Sequence, residues 1–272
     1  MNALRLTLLL LLLQSLLTAQ NALPLPGGAR GLALGGAGLT FQDVQSGWTN
    51  PAGLAQLQGF GAAVYGEQRF LLSEIRQTGA MVALPVTGGA LGLSLGYFGF
   101  EAYNEQRVGL AYARLLSPNL QIGGQLLAFR TQIPEYGSAT NVSFELGLQA
   151  RVSPVLWVAA RAYNPIRQSV IEGEDLPSLM ALGLQYRPSN KVSVLVEAEK
   201  DIAFPVRVRT GLEYHLIPAL QLRLGLATEP FQYTFGLGIQ AAPGWRIDLA
   251  AQQHQYLGLT PAVGVVYAGK GE

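Results

Sequence analysis

Apolar and polar side chains alternate strictly over residues 191–216, and this pattern constrains the fold more than any other feature. The uncharged parity carries Val192, Val194, Val196 and Ala198 before a short break, and Val206, Val208, Thr210, Leu212, Tyr214 and Leu216 after it. A period of two residues indicates extended strands with two different faces. An unbroken apolar face suits contact with lipid, and the polar face opposite suits a hydrated lumen.

Charged residues on the polar face of this stretch predict how its strands pair. Turns near residues 201–204 and 217–218 would join three successive strands. In the resulting register each carboxylate faces an arginine: Glu199 and Arg207, Glu197 and Arg209, Glu213 and Arg223. Such cross-strand pairs stabilise a sheet by roughly 0.2–1 kcal/mol each. We predict a mixed-charge patch of these six residues on the lumen wall, either a charge ladder that holds register or a selectivity or docking surface.

Strand-length segments continue along the chain from residue 59. A tilted membrane strand needs about 9–11 residues, and fourteen segments near that length can be assigned. They lie at residues 59–66, 75–84, 90–99, 106–116, 120–131, 141–152, 155–163, 179–187, 191–199, 205–216, 219–227, 231–241, 245–253 and 260–268. The sequence therefore predicts an all-β fold, a transmembrane antiparallel β-barrel of about 14 strands over residues 59–272.

Two classes of connection alternate between these segments. Tight turns carry Pro, Gly or Asn, as at residues 117–119 and 242–244, and longer or more polar connections such as 164–178 lie between them. Short periplasmic turns and longer outer loops are typical of bacterial outer-membrane barrels. With an even strand number, both termini would face the periplasm. A secreted soluble β protein is the alternative, but it has no reason to sort its loops in this way.

The composition agrees with a membrane wall. Of 272 residues, 49% are hydrophobic and 13% are charged, against about 25% charged in soluble domains. Beyond the N-terminal leader, no apolar run approaches the roughly 20 residues of a helical span. The net charge of +1 and the lack of a basic patch argue against a nucleic-acid partner. The absence of cysteine excludes disulfides, thiolate metal sites and a cysteine nucleophile.

Residues 1–19 read as a secretory signal peptide. Arg5 supplies the positive charge, residues 6–17 supply the apolar core, and Ala19 is a small residue at the expected cleavage site. A membrane anchor is the alternative, but the apolar run is too short to span a bilayer. We therefore expect the mature chain to leave the cytoplasm.

Residues 20–58 do not alternate, and they are predicted to form a plug inside the barrel. A Gly-rich run is followed by an aspartate and then by Trp-x-Asn-Pro-Ala-Gly-Leu. This order resembles the N-terminus of the PorV/PorQ-type outer-membrane barrels of type IX secretion, within the wider FadL-like (long-chain fatty-acid transporter) barrels. The matching residues are Gly35, Gly36, Ala37, Gly38, Asp43, Trp48, Asn50, Pro51, Ala52, Gly53 and Leu54.

The resemblance implies a 14-strand outer-membrane barrel whose N-terminal segment sits in the lumen. It also implies a non-enzymatic type IX secretion component that binds secretion-machine or cargo proteins. The alternative is FadL-like passive transport of a hydrophobic small ligand across the outer membrane. In both cases outer-membrane lipid would surround the wall.

Few residues suggest chemistry. His215 and His254 are predicted at opposite ends of the barrel, so a shared metal is not expected. No serine, histidine and orienting residue come together as a hydrolase would require. The Gly-rich run lacks the Gly-Lys-Ser/Thr of a phosphate-binding loop. The sequence therefore predicts no catalytic residue, no cofactor and no metal.

Overall fold

A computed structural model describes residues 25–134, 137–167, 169–171 and 174–269. The signal peptide expected at residues 1–19 lies outside the described residues, as do the first five residues of the expected plug and the last three of the chain. The barrel strands run from Gly61 to Ala268, inside the range expected for the barrel.

Fourteen antiparallel strands close into a barrel within the described residues. The first strand pairs with the last, Gly61 opposite Ala268, so this sheet has no free edge. The barrel strands are β1 (Gly61–Gln68), β2 (Arg76–Val86), β3 (Gly89–Phe100), β4 (Tyr103–Ser117), β5 (Leu120–Ile133), β6 (Gly137–Ser153), β7 (Leu156–Tyr163), β10 (Leu179–Ser189), β11 (Val192–Asp201), β12 (Arg207–Ile217), β13 (Leu220–Ala227), β14 (Gln232–Ala242), β15 (Trp245–His254) and β16 (Gly258–Ala268). Each predicted segment corresponds to one of these strands, so the predicted fold class is confirmed.

The strands differ from the prediction mainly in length. β6 begins at Gly137 instead of residue 141, and β5 extends to Ile133, which pairs with Gly137. Proline and glycine marked one end of each hairpin in the sequence. At the opposite end of the hairpins, polar residues continue the strand pairing, and nothing in the sequence marks where a strand ends.

The two faces of each strand differ as the alternation predicted. In β13, Leu224 and Leu226 are about half exposed, whereas Arg223 between them is buried at 1% exposure. The exposed leucines point out of the barrel, and Arg223 points into the lumen. If the barrel were set in a bilayer, an arginine on its outer face near the midplane would cost about 2–4 kcal/mol, so the inward-facing charges fit such a position.

The two ends of the barrel differ in their connections. At one end, the turn end, six hairpins are closed by two residues each, as at residues 87–88 and 243–244. Five of them carry a register shift next to the turn, for example between His215 and Ile217. At the other end, the loop end, the connections run from the two residues 101–102 up to residues 164–178.

A small ribbon interrupts the longest connection at the loop end. Strands β8 (Ser169–Ile171) and β9 (Glu174–Asp175) form it. Asn164 anchors this connection: its Nδ2 donates to the Leu176 carbonyl at 3.0 Å, and its carbonyl accepts from the Ser178 hydroxyl at 2.9 Å. Leu176 is buried with aromatic residues of β5 and β7, so the connection folds back over the barrel.

Residues 25–60, here called the N-terminal segment, lie within the cylinder. They contain helices α1 (Gly28–Ala33) and α2 (Ser46–Thr49) and a 3₁₀-helix (Pro51–Gln56). Two further 3₁₀ turns lie at the loop end, Arg69–Leu71 and Ser73–Ile75. Helix α1 contacts β13 to β16 and β1, and the 3₁₀-helix contacts β3 to β6 on the opposite side. Among the described residues, no helix is both long enough and apolar enough to cross a membrane.

The lumen is packed like a protein core along β1 to β4. Inward-facing Ala63, Tyr65 and Met81 are buried against Trp48 and Leu54 of the N-terminal segment. The rings of Trp48 and Tyr65 lie 6.2 Å apart at 51°. Small and apolar inward residues on this side leave room for the segment. Glu67 on β1 and Arg107 on β4 are also buried here, but most of the buried charged residues of the wall lie on β6, β7 and β11 to β15.

Candidate functional site

The N-terminal segment and the charged wall of β11 to β15 form the candidate site. From residue 25 to residue 54, nearly every residue of the segment is buried, including all of α1 and α2. Backbone that leaves regular structure in a buried place needs hydrogen-bond partners. Side chains of the wall supply several of these hydrogen-bond partners.

Asn50, the asparagine of the Asn-Pro-Ala-Gly motif, joins the segment to the wall. Its Oδ1 accepts from the Ala52 N–H at 3.1 Å and caps the 3₁₀-helix that begins at Pro51. Its Nδ2 lies within hydrogen-bonding distance of three carbonyls, those of Leu39 at 3.1 Å and of Leu148 and Ala160 at 3.3 Å. The last two belong to β6 and β7, so one amide ties the motif to two barrel strands.

Inward-facing glycines let this motif approach the wall. A Cβ at Gly147 would lie 1.9 Å from Asn50 Oδ1, and one at Gly123 would lie 2.5 Å from the Ala52 nitrogen. Neither contact is possible for a larger residue without displacement. The predicted motif residues thus share one tight contact with β5 and β6, although this does not by itself test the role assigned to them.

Asp43 and Trp48, the other predicted motif residues, have different partners. Asp43 Oδ1 accepts from the Gln45 N–H at 3.0 Å, and its Oδ2 accepts from Arg30 Nη1 at 3.1 Å. Trp48 is fully buried in the apolar core, and its indole N–H has no hydrogen-bond partner in the described structure. Its contribution is therefore packing.

A closed ring of alternating charges connects the N-terminal segment to three strands. Arg30 bridges Asp43 and Glu213, Arg223 bridges Glu213 and Asp248, and Arg246 bridges Asp248 and Asp43. Five of these contacts measure 2.7–3.1 Å, and the sixth, between Arg246 and Asp43, measures 3.6 Å. Three positive and three negative groups compensate one another, which buried charges require.

Arg30 lies between two carboxylates and above an aromatic ring. Its guanidinium carbon is 4.2 Å from the centroid of Phe41. Burial alone would lower the pKa of Arg30, but Glu213 and Asp43 together raise that pKa above its ordinary value. The guanidinium therefore stays charged, and its fork holds both carboxylates in place.

The predicted register of the charged strands is present, but the ion pairs differ from it. Glu197 lies opposite Arg209 and Glu199 opposite Arg207. The ion pair, however, is diagonal: Arg209 Nη2 donates to Glu199 Oε1 at 2.6 Å. Long side chains reach diagonal neighbours across a twisted pair of strands. The expected contacts of Glu197 with Arg209 and of Glu199 with Arg207 are therefore wrong as ion pairs.

Glu197 is held by the N-terminal segment instead. Its Oε1 accepts from the Leu39 N–H at 2.6 Å. Arg207 donates to Gln232 Oε1 at 2.7 Å. Only the pair of Glu213 and Arg223, at 2.8 Å, makes the predicted contact. Whether the six residues act as a functional patch stays a prediction.

Sequence reasoning missed three members of the ring. Arg246 and Asp248 share the inward parity of β15, so the same alternation argument could have found them. Arg30 is a single charge in an apolar, Gly-rich run. A charge in a segment expected inside the lumen needs a counter-ion there, and this was the available signal for Arg30.

A cavity of about 220 Å³ lies between the N-terminal segment and the loop end. Leu25, Leu32 and Leu39 of the segment contribute apolar surface. Four arginines and three glutamates are also among the lining residues: Arg69, Arg161, Arg207, Arg209, Glu67, Glu197 and Glu199. The four residues of the predicted patch on β11 and the start of β12 thus face this cavity, whereas Glu213 and Arg223 belong to the ring.

The histidines lie in separate places. His215 Nε2 is 3.6 Å from Glu213 Oε1, and His254 Nδ1 accepts from the N–H groups of Tyr256 and Leu257 at the loop end. Within the described ranges, no cluster of three or more histidine, aspartate or glutamate residues could hold a metal ion.

Solved structures similar to this chain include two proteins described as toluene transporters and one described as a FadL homologue. The toluene transporter TodX of Pseudomonas putida has a TM-score of 0.67 at 12% identity, covering 91% of this chain and 98% of its own. The toluene transporter TbuX of Ralstonia pickettii has a TM-score of 0.66 at 13% identity, covering 88% and 96%. A FadL homologue of Pseudomonas aeruginosa has a TM-score of 0.65 at 12% identity, covering 89% and 98%.

Sequence comparison alone identifies no relative. No protein-family model matches the chain, and no curated protein matches it. The likeness is one of three-dimensional structure, and it extends over about nine-tenths of this chain and nearly all of the other chain in each comparison. The chain therefore has the fold of the FadL-like outer-membrane barrels.

Proposed function

We propose that this chain is a non-enzymatic, passive channel for small hydrophobic molecules in the bacterial outer membrane. The observation that carries the proposal is the end-to-end likeness to barrels described as a toluene transporter or as a hydrocarbon channel. The apolar outer wall and the closed sheet are consistent with a position in lipid. Both termini would face the periplasm, on the side of the turn end.

The N-terminal segment would act as the plug of this channel. Residues 20–58 form the plug in the proposal, residues 59–272 the barrel, and residues 1–19 a signal peptide that is removed. Strand pairing is continuous round the described barrel. A solute would therefore pass through the lumen, and the segment would have to shift. It is attached by ion pairs, hydrogen bonds and apolar contacts, and none of these is covalent.

A type IX secretion component is the second candidate, supported by the resemblance of residues 35–54 to PorV/PorQ-type barrels. Two features weigh against it. Trp48, Asn50 and Pro51 are buried, so they offer no surface to a partner protein. Two of the structures reported above are described as toluene transporters. Isolation of the barrel from native membranes together with secretion-machine subunits would favour this candidate over the channel.

A reversible crosslink tests the channel. A Cβ at Gly264 on β16 would lie 3.5 Å from the Cβ of Ala29 in α1, within the range that a disulfide spans. Because the chain has no cysteine, the double variant Ala29→Cys, Gly264→Cys would form one defined bridge. We expect cells that display it to take up labelled toluene when it is reduced and to lose this uptake when it is oxidised.

The host needs a lipopolysaccharide outer leaflet, because an ordinary phospholipid bilayer passes toluene by itself. The two single-cysteine variants are the controls, and oxidation should leave their uptake unchanged. Uptake that does not depend on the barrel would overturn the channel. If uptake depends on the barrel but is unchanged by oxidation of the double variant, the channel is supported and the proposed plug role of the N-terminal segment is contradicted.

A further inference from the structure

The loop-end cavity contains an arginine that the protein does not neutralise. Three of the four arginines that line it are ion-paired: Arg69 with Glu67, Arg161 with Glu145, and Arg209 with Glu199. Arg207 donates one hydrogen bond, to Gln232, and makes no ion pair with any described residue. Its Nε is buried without a partner. A guanidinium with unused donors facing a cavity favours a bound anion.

The carboxylates that also line the cavity are already engaged. Glu67 and Glu199 are held by arginines, and Glu197 accepts the Leu39 N–H. Counting Glu145, which pairs with Arg161, four arginines face four glutamates. Arg207 keeps unused donors, whereas each of these carboxylates already accepts a hydrogen bond or pairs with an arginine. The cavity is therefore poorly suited to a cation, and its charges are an unfavourable environment for a wholly apolar solute.

The size of the cavity limits the rest of the ligand. At about 30 Å³ for each water in the liquid, 220 Å³ corresponds to about seven water molecules. Pockets for drug-sized ligands measure about 300–1,000 Å³. A compact molecule of about the size of benzoate suits this volume. Leu25, Leu32 and Leu39 form an apolar floor on which a compact ring could rest.

We infer that this cavity is a binding site for a small organic anion, with its carboxylate on Arg207 and its compact apolar body against the N-terminal segment. The inference rests on the proposed function, because it names the kind of solute that the lumen admits from the loop end. Among small and largely apolar molecules, this site would hold most tightly those with a single negative group.

Binding of 4-fluorobenzoate to the full-length barrel in detergent, followed by ¹⁹F NMR and corrected for empty micelles, tests the site. The wild type should bind it, and Arg207→Gln should weaken binding about ten- to a hundredfold, as expected for the loss of a hydrogen bond to a charged group. Arg207→Lys should retain most of the affinity. Arg151→Gln, an exposed arginine at the turn end, is the matched control and should bind like the wild type.

Two further probes separate charge from size. Fluorobenzylammonium and fluorotoluene have the same ring, and the site should reject the former and bind the latter more weakly than 4-fluorobenzoate. The inference is overturned if 4-fluorobenzoate does not bind, if Arg207→Gln binds it as well as the wild type does, or if the cation competes equally. If any of these results is obtained but toluene uptake still depends on the barrel, the anion site is contradicted and the proposed channel is not.

Discussion

Arg30 and Glu213 face each other across the lumen as a two-point ion pair. Nε of Arg30 donates to Oε2 of Glu213 at 2.9 Å, and Nη2 donates to Oε1, also at 2.9 Å. Both side chains are about nine-tenths buried. This pair joins the N-terminal segment to the wall at two points, and it is part of the ring of six charges.

Removal of Arg30 should loosen the segment. Arg30→Met leaves Glu213 with Arg223 and the more distant His215, and it leaves Asp43 with the longer contact to Arg246. We expect the free energy of releasing the segment to fall by about 3 kcal/mol, the lower end of the cost of breaking a buried ion pair. Faster amide hydrogen exchange across α1 would show it. Arg151→Met is the control, and equal exchange in the two variants would contradict the expectation.

A methyl group on the wall should displace the Asn50 motif. Gly147→Ala places a Cβ where Asn50 Oδ1 now lies, and overpacking of this kind costs about 1–3 kcal/mol. The neighbouring strand offers a control, because a Cβ at outward-facing Gly124 meets no atom closer than 3.6 Å. The thermal unfolding midpoint in detergent should fall for Gly147→Ala and stay unchanged for Gly124→Ala. Equal midpoints would show that the motif is not tightly held.

Glu197 should matter as an acceptor and not as a charge. In Glu197→Gln the amide oxygen can still accept the Leu39 N–H, so little should change. Glu197→Ala leaves that N–H buried without a partner, at a cost of about 1–3 kcal/mol. Exchange of the Leu39 amide measures the difference. If Gln and Ala have the same effect, the charge of Glu197 acts elsewhere, as the sequence-based pairing with Arg209 supposed.

The free-energy cost of a charge on the outer face should depend on its depth in the membrane. Leu224→Arg places a guanidinium in the middle of β13, where the cost is about 2–4 kcal/mol. Val152→Arg places the same group next to the end of β6, where the cost is about 0–1 kcal/mol. Heat-modifiable mobility on a gel reports the folded fraction after refolding into lipid. Similar folded fractions for both variants would argue against the assigned membrane position.

Strand number, strand facing and register could be predicted from local pattern. A period of two residues decides which side chains share a face, and turn residues decide where a hairpin closes. That is why fourteen segments were found and why Glu213 was placed opposite Arg223. The same reasoning could not supply the far ends of the strands, where polar residues extend the ladder without a turn signal.

Which charges touch one another was decided only when the barrel closed around the N-terminal segment. Arg30 is 183 residues from Glu213, and Leu39 is 158 residues from Glu197. No periodicity relates such residues, because their contact depends on where a non-repeating segment lies in the lumen. Alternation along each strand is a local property of the backbone. The contacts that side chains make inside the lumen depend instead on the closed barrel, which forms only once all fourteen strands have paired.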